Sequence, residues 1–208
     1  MSGNDVLPDV RDYYARRLRE HGATPRGVDW NGAEGQAVRF DQLLAVCRED
    51  RAASLGDYGC GYGAMLGHAR KMGFTGPFLG YDIAEPMVEA ARAAHPDDGV
   101  FSAEEGVLDG CDYVVASGIF NVKLQASEAD WLAYVEQAIA RMARLARKGF
   151  AFNALTSYSD EDRKRPDLHY ADPCRLFDLC RRRHSRHVAL RHDYGLWEFT
   201  ILVRKEAA

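Results

Sequence analysis

Asp57-Tyr58-Gly59-Cys60-Gly61-Tyr62-Gly63 places one carboxylate and three glycines at alternate positions. A glycine-rich turn lets backbone approach a ligand closely, because no Cβ stands in the way. A second carboxylate, Asp82, follows Gly63 by 19 positions and closes the run Phe78–Ile83. An acid so placed accepts hydrogen bonds from ribose hydroxyls and repels a 2′-phosphate. The pair therefore points to a nucleotide-type cofactor. Gly59-x-Gly61-x-x-Ala64 also fits the dinucleotide fingerprint, which keeps an NAD-dependent oxidoreductase open as a rival. Asp57 argues against it: a carboxylate two residues before the first glycine would approach a pyrophosphate, whereas it suits a cofactor bearing an ammonium group.

These residues need a scaffold, and the chain alternates strand and helix patterns from residue 53 onward. Strands are predicted at 53–57, 78–83, 100–103, 113–118 and 150–155, with helices at 64–72, 85–95, 127–147 and 172–182 between and after them. Ser127 is the expected N-cap of the long helix and Gly149 its expected stop. Two last strands, 187–192 and 197–204, are separated by hairpin length. The expected fold is α/β: a doubly wound, seven-stranded, mostly parallel sheet with a C-terminal antiparallel hairpin and an N-terminal helical cap. Residues 1–50 form the cap in this reading, with helices through Tyr13 and Leu18 and over 34–49 joined by a polar loop at 24–35. Residues 51–208 form the cofactor domain. Ligands in such sheets bind beyond the carboxyl ends of the strands, which selects the glycine turn, Asp82-Ile83, 103–105, 117–121, 153–158 and the 192–194 turn.

Composition sets the outer limits. The 208 residues are 47% hydrophobic and 28% charged with a formal net charge of −4, which suits one globular domain and gives no general attraction to nucleic acid or membrane. The basic run Arg181–His187 is the local exception, and a solvated helix C-terminus is its simplest explanation. Five cysteines without a CxxC pair suit reduced thiols in a cytoplasmic protein. His184 and His187 have no third ligand at metal spacing, so no metal site is expected. The start, MSGNDVLPDV, lacks the features of a secretory leader, and no run approaches a membrane span.

Asp57-x-Gly59-x-Gly61-x-Gly63, Gly80-Tyr81-Asp82-Ile83 and Asp112-Tyr113-Val114-Val115-Ala116 resemble the motifs of the Rossmann-like (class I) S-adenosylmethionine (SAM)-dependent methyltransferases. The likeness spans about residues 50–205. It implies SAM as cofactor and methyl transfer as activity. It places Gly59, Gly61 and Gly63 along the methionine and ribose, Asp57 near the ammonium and Asp82 on the ribose hydroxyls. Ile83 and Met87 would flank the adenine, with core packing an equal reading for Met87. Glu104 or Glu105 would accept from the adenine amino group, and Ser117 and Gly118 would border the methyl. Tyr58 departs from the family, which has a small or β-branched residue there.

The acceptor side is read from the loops. Asn121 orients an acceptor or holds its own turn. His169 and Tyr170 bind substrate or serve as base and partner, or else pack a helix start. His192, with Asp193 beside it, is an oriented base or only part of a hairpin. From the cap, Tyr14 is expected against the cofactor; Arg39 meets its carboxylate or pairs with a surface acid, and Tyr13 and Trp30 close over the cofactor or anchor the cap to the domain. The expected partner is a small-molecule methyl acceptor, with the chain a monomer or homodimer and neither nucleic acid nor membrane involved. An RNA methyltransferase, a SAM-binding protein without transfer, and a SAM-using lyase or cyclase are the remaining rivals.

Overall fold

The computed structural model describes residues 6–30 and 32–206; the first five residues, on which part of the leader reading falls, lie outside them, as do Asn31, Ala207 and Ala208. Among the described residues there are six α-helices: α1 (Leu7–His21), α2 (Ala33–Leu44), α3 (Ala64–Lys71), α4 (Glu85–Ala94), α5 (Glu128–Leu145) and α6 (Pro173–Arg183). The strands are β1 (Leu55–Tyr58), β2 (Phe78–Tyr81), β3 (Val100–Ser102), β4 (Tyr113–Ala116), β5 (Gly149–Leu155), β6 (His187–Arg191) and β7 (Glu198–Arg204). They form one sheet in the order β3-β2-β1-β4-β5-β7-β6, with β7 antiparallel to both its neighbours and the pairings from β3 to β5 parallel. The expected architecture holds. Short helical turns at Pro25–Val28, Glu105–Leu108 and Glu161–Arg163 have no periodicity to announce them.

Alternation along β4 shows how the layers form. Val114 and Ala116 face the α5 and α6 side, while Val115 faces the α2 and α3 side; all three are fully buried. Both faces of the strand are covered, as a parallel sheet requires. On one side α5 lays down Trp131, Val135, Ala138, Ile139 and Met142, the i, i+4, i+7, i+8 stripe of an amphipathic helix. Ser127 caps it by accepting from the Asp130 N–H at 3.1 Å. On the other side Leu43 and Leu44 of α2 pack with Met65 and Leu66 of α3. Thus α2 belongs to the sheet layer, and the covering segment proper is α1 with the turn after it.

Two local expectations need correction. Strand β2 ends at Tyr81 because the Asp82 carboxylate folds back onto backbone donors of the glycine turn and of α4. Gly149 does not stop α5, which closes at Ala146; it opens β5, where a Cβ would stand 2.6 Å from the Val203 carbonyl oxygen across the ladder. The helices following β1 and β4 cover opposite faces, so a crevice opens between these neighbouring strands at their carboxyl ends.

Candidate active site

The crevice is floored by the turn after β1 and the loop after β4. Gly59 has φ +83°, and a Cβ there would lie 2.4 Å from Ile119 Cγ2 of the opposite loop. Glycine is required twice over, for the left-handed backbone and for the close approach. Gly118 answers it from the other side with φ +78°; a Cβ there would fall 2.4 Å from Trp30 Cζ2. Gly63 has a different duty. It caps α3 and packs toward His95, Ala91 and Phe101, away from the cavity.

The cavity above this floor holds two acids at the ends of adjacent strands. Asp57 is 2% exposed, and its Oδ1 has no hydrogen-bond partner among the described residues. Burial, aided by the nearby Asp82 charge, pushes its carboxyl up to about 8. Asp82 accepts from Gly61 N at 2.8 Å and Ala84 N at 2.9 Å. Burial raises it to about 6, with those two donors pulling the other way. Ser117 Oγ, also lining the cavity, is a second buried polar atom without a partner. Orphaned polar atoms in a folded protein call for an explanation. A ligand carrying a positive charge and several hydroxyls satisfies this set, with Ile83 and Met87 supplying an apolar wall.

The covering segment closes the top. Tyr13 Oη donates to Asp29 Oδ2 at 2.5 Å, and Arg17 Nη2 pairs with Asp29 Oδ1 at 3.0 Å, which fastens α1 to the turn that follows it. Trp30 comes next and rests on Gly118. The Arg39 guanidinium lies over the Trp30 ring, 4.0 Å from its centroid. Arg39 is itself held by the buried Glu198 at the start of β7. Glu198 Oε2 accepts from Asn153 Nδ2 at 2.7 Å, and Asn153 Oδ1 accepts from Gly118 N at 2.8 Å. The contacts close a ring: Gly118, Asn153, Glu198, Arg39, Trp30 and back to Gly118. Beyond Trp30 lies a second cavity of about 410 Å³, against about 110 Å³ for the first; Tyr14, Val28, Trp30 and Gly118 line both.

Of the residues singled out in the sequence, Tyr14, Asp57, Gly59, Gly61, Asp82, Ile83, Met87, Ser117 and Gly118 line the first cavity. Asn121 and Arg39 line the second. Of the two readings for Arg39 the structure shows the acid pairing, with its Nε and Nη2 on Glu198, a buried acid where a surface one was expected. Neither Glu104 nor Glu105 lines the first cavity. Glu104 is exposed, and Glu105 accepts from Tyr58 Oη at 2.8 Å with Arg144 nearby at 3.5 Å. That bond explains the unusual Tyr58, whose hydroxyl finds its partner behind the sheet. Asn121 holds the backbone: its Oδ1 accepts from Leu155 N at 3.0 Å.

The three remaining candidates stand apart from both cavities. His169 Nδ1 meets Glu128 at 2.9 Å, and burial lowers its pKa below the ordinary value. Tyr170 Oη accepts from Arg165 N at 3.0 Å. His192 is an exposed ring beside Tyr158 and Phe199. The pattern in the sequence brought the 153–158 segment and the cap loop to the site but did not single out Glu198. Glu198 does leave a signal, as a lone carboxylate opening an apolar strand. Three arginines of the basic run are paired, Arg182 with Asp178, Arg183 with Glu136 and Arg186 with Glu206.

Comparison with known proteins settles the kinship. The family profile described as "Methyltransferase domain" matches residues 56–152. Rv1506c of Mycobacterium tuberculosis, named as a methyltransferase, is 49% identical over 154 residues, which cover 73% of this chain and 93% of that one. The chain belongs to the class I SAM-dependent methyltransferases. This methyltransferase is accordingly an enzyme that uses SAM. It is also similar to the nocamycin O-methyltransferase of Saccharothrix syringae, 37% identical over 107 residues, 51% of this chain and 38% of that one. Its fold is shared with the 1,6-didemethyltoxoflavin N1-methyltransferase of Burkholderia thailandensis, solved with 1,6-didemethyltoxoflavin and S-adenosylhomocysteine. That likeness has a TM-score of 0.65 at 17% identity, over 100% of this chain and 92% of the other. Among the described residues no helix of this methyltransferase is long and apolar enough to cross a membrane, and no cluster of three metal-ligating side chains occurs.

Proposed function

We infer that this methyltransferase acts on a small-molecule oxygen or nitrogen nucleophile, with SAM in the first cavity and the acceptor in the second. The observation that carries the cofactor placement is Asp57 Oδ1, buried and unpartnered between the carboxyl ends of β1 and β4. Asp57 would meet the ammonium of the cofactor, and Asp82 retains lone pairs for the ribose hydroxyls beside its two backbone bonds. Ile83 and Met87 would flank the adenine, and Ser117 Oγ would bond the methionine portion. When bound, the cofactor supplies an electrophilic methyl group that an acceptor lone pair takes up as the carbon–sulfur bond breaks, its electron pair staying on sulfur.

The protein's own part is alignment and exclusion of water. Gly118 lines both cavities, and the covering segment roofs them. No histidine lines either cavity, so the acceptor nucleophile meets no imidazole base among the described residues; ionised or amine acceptors fit such a site best. The net charge of −4 and the pairing of the basic run favour a small molecule over nucleic acid. Five free cysteines, four of them buried, agree with a reducing cytoplasm. The decisive experiment is calorimetry with S-adenosylhomocysteine on the wild type and Asp82→Ala, followed by labelled-methyl transfer into fractionated small-molecule extracts. Tight binding lost in Asp82→Ala, with label in a low-mass product, is the expected result. Binding unaffected by Asp82→Ala, or label only in macromolecules, would reject it.

A further inference from the structure

Trp30 occupies the passage between the two cavities. It lines both, its six-membered ring lies against Gly118, and the Arg39 guanidinium covers it at 4.0 Å. The walls of this passage are fixed without Trp30. Arg39 is 12% exposed and is gripped by Glu198, which is 1% exposed. Glu198 is gripped by Asn153, and Asn153 by the Gly118 N–H. The other four members of the ring are joined by hydrogen bonds and an ion pair; the Trp30 side chain is held by a face contact and by packing. Lifting Trp30 would therefore leave a slot of defined shape, bordered by a flat cation and by bare glycine backbone.

Resting on the cavity assignment just made, we propose that this slot binds the acceptor, that the acceptor is a flat aromatic or heteroaromatic ring, and that Trp30 occupies its place in the unliganded enzyme. A planar ring gains the same cation–π contact that the indole makes now, and a saturated ring of equal size gains none. Gly118 admits the ring for the reason it admits the indole: it has no Cβ. The slot adjoins Ser117 and Gly118, so a nucleophile on the ring's edge faces the cofactor cavity. Trp30 is then a competitor tethered to the chain, and the apparent affinity for acceptor is reduced by the fraction of molecules in which it is seated.

The test uses the full chain saturated with S-adenosylhomocysteine, and 2-naphthol with its saturated analogue decahydro-2-naphthol as probes. Trp30→Ala is expected to bind 2-naphthol about tenfold more tightly than wild type, because nothing need be displaced. Arg39→Lys retains a cation for Glu198 and removes the planar face, so it should lose most of the naphthol affinity. Neither substitution should change binding of the saturated probe. In a Trp197→Phe background, where Trp30 and the fully buried Trp131 are the remaining tryptophans, naphthol should shift the emission of Trp30 as it leaves the guanidinium. Naphthol binding weakened or unchanged in Trp30→Ala, or equal affinity for both probes, overturns the proposal. Unaltered Trp30 emission on binding overturns it even if Trp30→Ala proves too unstable to assay. If S-adenosylhomocysteine still binds in those cases, the cofactor assignment survives; if it fails to bind the wild type, that assignment falls first.

Discussion

Arg39 and Glu198, 159 residues apart in the chain, meet as a forked ion pair, with Arg39 Nε 2.9 Å from each carboxylate oxygen and Nη2 2.5 Å from Oε1. The pair joins a helix of the N-terminal region to the last strand of the sheet. Both side chains are shielded, so removing one strands the other in a poorly solvated place. Glu198→Ala should cost about 3–5 kcal/mol of folding free energy, the range for breaking a buried pair. Arg39→Met with Glu198→Leu together should cost much less than the sum of the single changes. Urea denaturation of the four proteins measures the coupling; additive losses would show that the pair is not acting as a unit.

Asp57 should set a pH dependence of opposite sign for stability and for cofactor binding. Its folded-state carboxyl lies near 8, raised first by burial and then by the Asp82 charge, against 3.8 in the unfolded chain. A raised carboxyl means that the native state holds the proton more tightly. Its contribution to stability is therefore present at low pH and is lost as pH climbs from about 4 to about 8. Asp57→Asn should stabilise the ligand-free protein at pH 8, by about 2 kcal/mol as an order of magnitude. Ligand binding should run the other way. S-adenosylhomocysteine affinity should rise between pH 6 and 8 as Asp57 ionises to face the ammonium, and the slope should flatten in Asp57→Asn. Calorimetry across that window checks the second claim and thermal denaturation the first.

Gly59 and Gly63 look alike in the sequence and should behave differently. Alanine at Gly59 strains a left-handed turn and drives a methyl group into Ile119 on the cavity floor. It should lower S-adenosylhomocysteine affinity at least tenfold, roughly the value of 1.4 kcal/mol of misfit. Alanine at Gly63 meets Phe101 and His95 outside the cavity, so it should lower the melting temperature and leave the affinity of the folded protein within about threefold, under 1 kcal/mol. Equal losses of affinity in the two variants would contradict this division.

Glu105 should matter to folding and not to the cofactor. It accepts from the Tyr58 hydroxyl and pairs with Arg144 and Arg141 on α5. Tyr58→Phe should cost about 1 kcal/mol, the value of one part-buried hydrogen bond to a charged acceptor after allowance for its remaining partners. S-adenosylhomocysteine affinity should be unchanged in Tyr58→Phe and Glu105→Gln. A tenfold loss of affinity in Glu105→Gln would restore this residue to the adenine site.

Much of this was legible in residue order because the forces behind it are local. The glycine turn, Asp82 at the end of β2 and the Ser127 cap each depend on neighbours a few positions away. The parallel core and the antiparallel closing hairpin followed from alternation and from the spacing of the last two strands. Cross-chain choices were not legible. Glu105 shows an acid beyond β3 and nothing of the Tyr58 hydroxyl that claims it. His169 shows an imidazole near a helix start, and only the fold reveals that its Nδ1 turns to Glu128. Arg39 shows a cation in an amphipathic helix, while its partner lies at the far end of the chain. Trp30 and Gly118 are separated by most of the N-terminal half, and no period links the indole to the glycine it rests on.

The placement of β7 dictates an order of assembly. Strand β6 is made before β7, yet among the described residues β7 is the one strand it pairs with, inserted between β6 and β5. As the chain leaves the ribosome, β6 has nothing to pair with until the residues after it arrive. Glu198, the first residue of β7, is also the anchor for Arg39. The covering segment and Arg39, which precede β1 in the chain, are thus pinned only once β7 has been made, and a nascent chain halted before β7 carries the cofactor turn without that anchor.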